Sequence, residues 1–237
     1  MIPPDYENYD YLNEWKNRDI LDNAERVLIR KLAGKPKITL EMGGGFGRIT
    51  SILESLSEET YMVDYSSRNI AEASKRLSKT KITRCNFFNL PFDDGMFDLI
   101  VMVRVMHHIE DPWRLYREVE RVATNGARFV VSVPNSPFNQ DEKGEGISEV
   151  KIEEGKHRIF TGPLSAYAYS GFKLEKIYGT GLFDNRLGRG LHMLTWLYLL
   201  DIATARLWKL KNNLFLVFTI TKSIQNTSNR TGKEFLS

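Results

Sequence analysis

Strand-like and helix-like runs alternate along the first half of this chain, and that alternation limits the folds open to it. "KITLEM" at 37–42 reads as a strand, and "RITSILESL" follows with Ile49, Ile52, Leu53 and Leu56 at helical spacing. "TYMVD" at 60–64 reads as a second strand. "SSRNIAEASKRL" then offers two serines as N-caps and puts Ile70, Ala73 and Leu77 on one helical face. "KITRC" is a short third strand, and "FDLIVMV" at 97–103 is apolar almost throughout, as a central parallel strand buried on both faces must be. Asp111-Pro112 opens a helix that turns Leu115, Val119 and Val122 inward, with "NG" at 125–126 ending it and "ARFVVSV" as the next strand. Such a series predicts a doubly wound α/β domain with helices on both faces of a mostly parallel sheet.

The second half is less regular. Pro134 and Pro137 break the pattern, and the polar stretch 139–156 reads as a mobile loop. "GPLSAYAYSGF" reads as a helix stopped at Gly171, and "FKLEKIYG" and "NLFLVFTI" read as the last two strands. Between those strands lies a long excursion, 180–211, read as a helical lid insert. The expected organisation is an N-terminal aromatic segment and helix at 1–36, a catalytic-type domain at 37–222 and a polar tail at 223–237.

At 237 residues the chain suits one sizeable core. Its 33 basic and 30 acidic residues give a net charge of +3, with no dense basic block, so a nucleic-acid partner is not expected. The lone Cys85 excludes an internal disulfide framework and fits a reducing cytoplasm, and so few Cys and His argue against a metal site. The N-terminal "MIPPDYENYD" is polar and acidic, unlike a signal peptide. The most apolar run, "LTWLYLL" at 194–200, falls well short of the ~20 residues that span a bilayer.

Chemistry concentrates in "EMGGGFGRIT" at 41–50. Gly43, Gly45 and Gly47, with Gly44 between, permit a tight turn and close approach of a ligand to the backbone. The spacing is acid-x-Gly-x-Gly-x-Gly, not the Gly-x-Gly-x-x-Gly that sets a pyrophosphate on a helix N-terminus. Asp64 ends the second strand, where an acid accepts hydrogen bonds from ribose hydroxyls. A ligand with a ribose but no required pyrophosphate follows.

The next segment makes the likeness specific. "CNFFNLPFDDGMFDLIVMVRVMHHIEDPWRLYREVERVATNGARFVVSVPN", together with the glycine stretch and Asp64, resembles the class I S-adenosylmethionine-dependent methyltransferases, in the small-molecule, type 11-like branch. The resemblance runs in order from about residue 38 to 135, and more loosely through 157–178. It implies a Rossmann-like, seven-stranded sheet and S-adenosylmethionine as cofactor, with S-adenosylhomocysteine as product. Glu41 and the Gly43 backbone would then face the methionine ammonium, with Gly45 and Gly47 permitting close approach. Asp64 would hold the ribose diol, and Tyr65 and Phe87 would lie against the adenine. Asn86 stands where the family usually has Asp, so its contact to the adenine amino group would lack charge. The Arg104 carbonyl would reach the methionine end, although the family often has a small residue there.

No catalytic residue is assigned. His107 and His108 are read as packing or backbone residues, with His108 kept as a candidate base. His157, the other candidate for a catalytic role, either lines the acceptor pocket or is exposed. Tyr6, Tyr9, Tyr11 and Trp15 either pack the first helix down or cover the site. In the insert, Met193, Trp196, Leu197, Leu200, Thr204 and Leu207 make one helical stripe, and Leu191, Leu194, Tyr198, Ile202 and Ala205 make a second. Two stripes imply cover on both sides, so 191–208 is expected to meet the core and, on its other face, an apolar small-molecule acceptor, a second copy or a membrane surface. Two rival readings stand beside the enzyme: a non-catalytic methyltransferase-like subunit, and a nicotinamide-dependent oxidoreductase, which the glycine spacing disfavours.

Overall fold

The computed structural model describes residues 10–16, 18–109, 111–135, 147–152, 155–160, 169–181, 197–207 and 211–222. Two helices lead in, α1 (Tyr11–Glu14) and α2 (Asp19–Ala33). The alternating half follows as β1 (Ile38–Met42), α3 (Thr50–Leu56), β2 (Glu59–Asp64), α4 (Ser67–Ser74), β3 (Lys81–Arg84), β4 (Phe97–Met102), α5 (Pro112–Val122) and β5 (Ala123–Pro134). Then come β6 (Ile147–Ile152), β7 (Gly155–Phe160), β8 (Phe172–Thr180), α6 (Leu197–Ala203) and β9 (Asn213–Ile220). Seven strands form one sheet in the order β3-β2-β1-β4-β5-β9-β8. Pairs from β3 to β5 are parallel, and β9 runs antiparallel to both β5 and β8. This is the α/β, Rossmann-like sheet expected from the sequence.

The apolar run of β4 explains why it sits in the middle. Ile100 and Met102 join one core with Leu115, Tyr116 and Val119 of α5, while Leu99, Val101 and Val103 join another with Leu28 and Ile29 of α2 and Ile52 and Leu53 of α3. β9 divides in the same way, with Leu214, Leu216 and Phe218 on the α5 side and Phe215 and Val217 on the α2 side. Alternate side chains thus bury both faces, which requires strands without a polar side. In α4, Ser66 caps the helix by accepting from Asn69 N at 3.2 Å. The buried face there is Asn69, Ala73 and Leu77, and Ile70 is only half-buried.

Three local expectations need correction or completion. The helix opened by Asp111 and Pro112 ends at Val122, before Asn125-Gly126. That pair lies inside β5, where the register to β4 shifts from Phe97↔Ala123 to Leu99↔Arg128 and Gly126 takes φ +83°. The pair makes an irregular turn within β5 rather than the helix stop, with Gly126 in a backbone that glycine accepts without strain. Residues 147–152 and 155–160, expected within or beside a loop, form a two-stranded antiparallel hairpin. Its ladder is made by the backbone, so the Lys and Glu content that suggested a loop does not prevent it. The helix expected from Gly162 to a stop at Gly171 falls mostly on 161–168, which, like most of the insert, Tyr6, Tyr9 and the tail 223–237, lie outside the described residues.

Two arginines hold helix ends near the amino ends of the parallel strands, away from the carboxyl ends. Arg128 of β5 donates to the carbonyls of Leu32 at 2.8 Å and Ala33 at 2.6 Å, closing the C-terminus of α2. Arg121 of α5 donates to Leu90 O at 3.0 Å and Phe92 O at 2.8 Å, so the Leu90-Pro91-Phe92 turn is scaffold. Arg128→Met keeps the apolar stem and loses both bonds to α2. It should lower unfolding stability by roughly 1.5–3 kcal/mol, the scale of hydrogen bonds to a charged group, in urea denaturation followed by circular dichroism.

Candidate functional site

The strand order reverses between β1 and β4, which are neighbours in the sheet, and ligands of open α/β sheets bind at the carboxyl ends of such a pair. The glycine stretch leaves β1 at that point. Gly43, Gly45 and Gly47 have φ of +74°, +58° and +83°, a region that side-chain-bearing residues avoid. Their surroundings differ. A Cβ on Gly43 would collide with the Val105 side chain, and one on Gly47 would lie 3.0 Å from Leu77 Cδ1. A Cβ on Gly44 would lie 2.5 Å from Met62 Cγ. A Cβ on Gly45 would meet nothing within 4 Å. Packing therefore accounts for three of the glycines, and Gly45 is the one that presents backbone to open space.

Two acids stand beside it. Glu41, on β1, is 2% exposed and accepts from Thr50 Oγ1 at 2.5 Å. Burial pushes its carboxyl up to about 7, with the Thr50 hydroxyl and Arg48 opposing and Asp64 adding to the rise. Asp64, at the end of β2, accepts from Gly45 N at 2.8 Å through Oδ2. Its Oδ1 accepts from Ser66 N at 2.9 Å and Asn69 Nδ2 at 3.3 Å. Burial raises its carboxyl, and these N–H donors hold the rise in check. Asp64 thus fixes the glycine turn, a task that its expected ribose role did not include.

The β2–β3 side carries the remaining expected contacts. Tyr65 is half-buried with the Arg84 guanidinium 5.5 Å from its ring centre, and Arg84 Nε donates to the Tyr65 carbonyl at 2.8 Å. Asn86 is exposed, and its Oδ1 accepts from Phe88 N at 2.9 Å. The amide oxygen expected to face an adenine amino group therefore already closes a turn. Phe87 is 6% exposed and lies in the core with Met42 and Val63. Burial pushes the nearby Cys85 thiol up to about 11, so it stays a thiol at neutral pH.

At the end of β4, Arg104 is the single non-glycine with positive φ among the described residues, at 59°. Its N–H donates to Ser132 Oγ at 2.7 Å. The side chain, whose purpose the sequence left open, turns to Glu25 of α2, with Nε at 2.8 Å and Nη2 at 2.7 Å from Oε1. Arg48, directly after Gly47, reaches the other oxygen of Glu25 at 2.7 Å and Asp22 at 2.8 Å. Burial alone would push the Glu25 carboxyl up, but the two guanidiniums hold it below its ordinary value. Sequence reading missed Glu25 and Arg48. The signal was an acid at helical spacing between Leu21 and Leu28, inside the apolar stripe of α2.

The Arg48 guanidinium also covers the Trp15 ring at 3.7 Å, with Arg104 at 5.4 Å, so Trp15 lies beside the site. Beyond Arg104, Val105 abuts Gly43, and a 3-10 turn at Met106–His108 follows. The rings of His107 and His108 lie 3.9 Å apart. Burial, then His108 and Arg104, hold His107 well below the usual imidazole range, so it is neutral at pH 7. Strand β7, which contains His157, packs against this turn and brings that position to the same end of the sheet. Glu41, the glycines, Asp64 and Arg104 are therefore drawn together at the β1–β4 crevice, and His108 and the His157 strand lie on its β4 side.

Residues 40–131 match the methyltransferase domain family. An uncharacterized protein of Methanocaldococcus jannaschii is 27% identical over 184 residues, covering 76% of this chain and 74% of that one. An uncharacterized methyltransferase of a Mycobacterium species is 30% identical over 110 residues, covering 46% of this chain and 44% of its own length. The chain thus spans less than half of that methyltransferase. A SAM-dependent methyltransferase of Thermotoga maritima has the same fold, with a TM-score of 0.66 at 18% identity over 89% of this chain and 95% of its own. With the glycine turn, the two acids and the strand order in their places, residues 40–131 form a methyltransferase domain of the type 11 branch, on the class I fold of S-adenosylmethionine-dependent enzymes.

Proposed function

We propose that this chain moves a methyl group from S-adenosylmethionine to a small-molecule acceptor, acting in the cytoplasm. The observation that carries the reading is Gly45, left-handed and open at the carboxyl end of β1, with Asp64 bonded to its N–H and the buried Glu41 on the same strand end. These residues fit the donor. In this reading Glu41 would offer an acid to the ammonium, Asp64 and Tyr65 would take the ribose and adenine, and the Arg104 carbonyl would face the methionine end. Asn86 and Phe87 act mainly through the turn and the core that they build. The bound donor supplies an electrophilic methyl on a sulfonium, displaced in line. The chain then contributes orientation and exclusion of water, and a base only where the acceptor atom carries a proton. On the acceptor side stand His108, the His157 strand and Trp15. The near-neutral charge balance supports a small acceptor over a nucleic acid.

The insert is read as a cover for the acceptor side. Its described helix, α6, packs on α2, with Ala205 buried and Tyr198 and Ile202 half-buried, while Leu199, Leu200 and Leu207 are exposed. Its foot is held by Lys211, which is fully buried and donates to Asp201 Oδ1 at 2.5 Å and Thr204 Oγ1 at 2.8 Å. The inner stripe therefore meets the protein, and the outer leucines are available to an acceptor or a second copy. No helix of the described residues is long and apolar enough to cross a membrane.

Two predictions follow from the donor site. Isothermal calorimetry should show one S-adenosylhomocysteine site per chain. Gly45→Ala meets no neighbour, so it should cost stability only the left-handed strain of about 1–2 kcal/mol, yet weaken binding at least about tenfold by filling the approach. Asp64→Ala should weaken binding by roughly 1.5–3 kcal/mol. Full affinity in folded Gly45→Ala would place the ligand elsewhere.

Glu41 gives a pH test. Its folded carboxyl titrates near 7 against an ordinary 4.5, so the unfolded chain ionises first and stability falls as pH rises from 4.5 through 7. At about 1.4 kcal/mol per unit the loss is about 3 kcal/mol, complete by pH 8. Glu41→Gln cannot ionise. Its stability relative to the wild type should rise by about that amount between pH 4 and pH 8 in urea titrations. Product binding, which pairs the ionised acid with an ammonium, should tighten between pH 6 and 8 in the wild type and stay flat in Glu41→Gln.

A further inference from the structure

We propose that Glu25 is a positioning residue for the donor: from α2 it holds together the two loops that flank the β1–β4 crevice. The inference rests on reading that crevice as the donor site. One loop is the glycine turn, which ends in Arg48, and the other is the turn after β4, which begins with Arg104. Each oxygen of one carboxylate takes one of these arginines, at 2.7 Å to Arg48 and at 2.7 and 2.8 Å to Arg104. Glu25 has no exposed side-chain surface, against 9% for Arg48 and 30% for Arg104. Buried acids between buried guanidiniums are seldom a gain in stability over apolar packing, so Glu25 calls for another explanation than the fold alone.

Arg104 supplies it. Its φ of 59° is a conformation that a side-chain-bearing residue resists, and such backbones persist only where the surroundings hold them. Here the holders are Ser132 Oγ on the N–H and Glu25 on the guanidinium. The turn that results lays Val105 against Gly43, so the β4 loop touches the glycine turn directly. Releasing Arg104 to an ordinary φ would lift Val105 from Gly43 and reopen the crevice on its β4 side. The same carboxylate steadies the other side, because Arg48 is fixed by Glu25, Asp22 and the Trp15 ring together. Asn213, the first residue of β9, lies 3.5 Å from Glu25 Oε1 and ties this clamp to the far half of the sheet.

The test measures S-adenosylhomocysteine affinity by calorimetry on the full chain, with thermal melts of every variant. Glu25 is buried behind the two arginines, yet Glu25→Gln should weaken binding at least about tenfold in protein that remains folded, because the bound geometry is then only partly populated. Arg104→Ala and Arg104→Gly decide the matter even where Glu25→Gln fails to fold. Both lose the same ion pair, and they differ in the cost of the left-handed turn. Arg104→Gly should bind at least about fivefold tighter than Arg104→Ala. Equal affinity in these two variants, or a folded Glu25→Gln within about twofold of the wild type, overturns the clamp while leaving the donor site standing. No binding by the wild type overturns the reading of the donor site and the clamp with it.

Discussion

One carboxylate without exposed surface, Glu25, joins four parts of this molecule. Through Arg48 it meets the glycine turn, through Arg104 the end of β4, through Asn213 the start of β9, and through its own helix the α2 face of the sheet. Removing Glu25 would leave two guanidiniums without their shared partner, whereas removing one arginine leaves the carboxylate paired with the other. The acid is thus the common point of the network. Its partners come from residues 22 to 213, so local sequence cannot assemble it.

That distance explains what the sequence disclosed. The central sheet was legible because the evidence is local: "FDLIVMV" must be buried on both faces, and it is. The glycine turn and Asp64 were legible as a pair because each ends a strand, and parallel neighbours bring their carboxyl ends together. The division of labour within the turn was not legible. That Gly43, Gly44 and Gly47 answer to Val105, Met62 and Leu77 depends on residues up to 62 positions away in the chain. Asn125-Gly126 misled for a related reason. The pair signals a turn correctly, but whether that turn ends a helix or interrupts a strand is decided by pairing with β4.

Arg104 shows the same limit from the other side. By position it departs from the small residue that the family favours, and sequence offered no motive for a long cation there. The structure offers one: the side chain leaves the crevice for α2, so what remains at the site is its backbone, turned to a φ that glycine would have reached unaided. A small residue and a restrained arginine are two physical routes to one turn. The second route adds dependence on α2 and, through Trp15 under Arg48, on the N-terminal helix, both outside the matched residues 40–131.

Glu41 completes the argument about where stability is given up for binding. Its neighbour Thr50 supplies one hydrogen bond, and Arg48, the nearest named cation, is already committed to Glu25 and Asp22. The acid therefore ionises only around pH 7 in the free protein, at a cost that grows with pH up to that range. In the proposed donor site an ammonium would reverse that cost, since ionisation would then gain a partner. Arg48 is close enough to temper the rise but is held away from direct pairing by Glu25. Under that proposal the clamp does more than fix distances: by occupying the cation, it would leave Glu41 to the ligand.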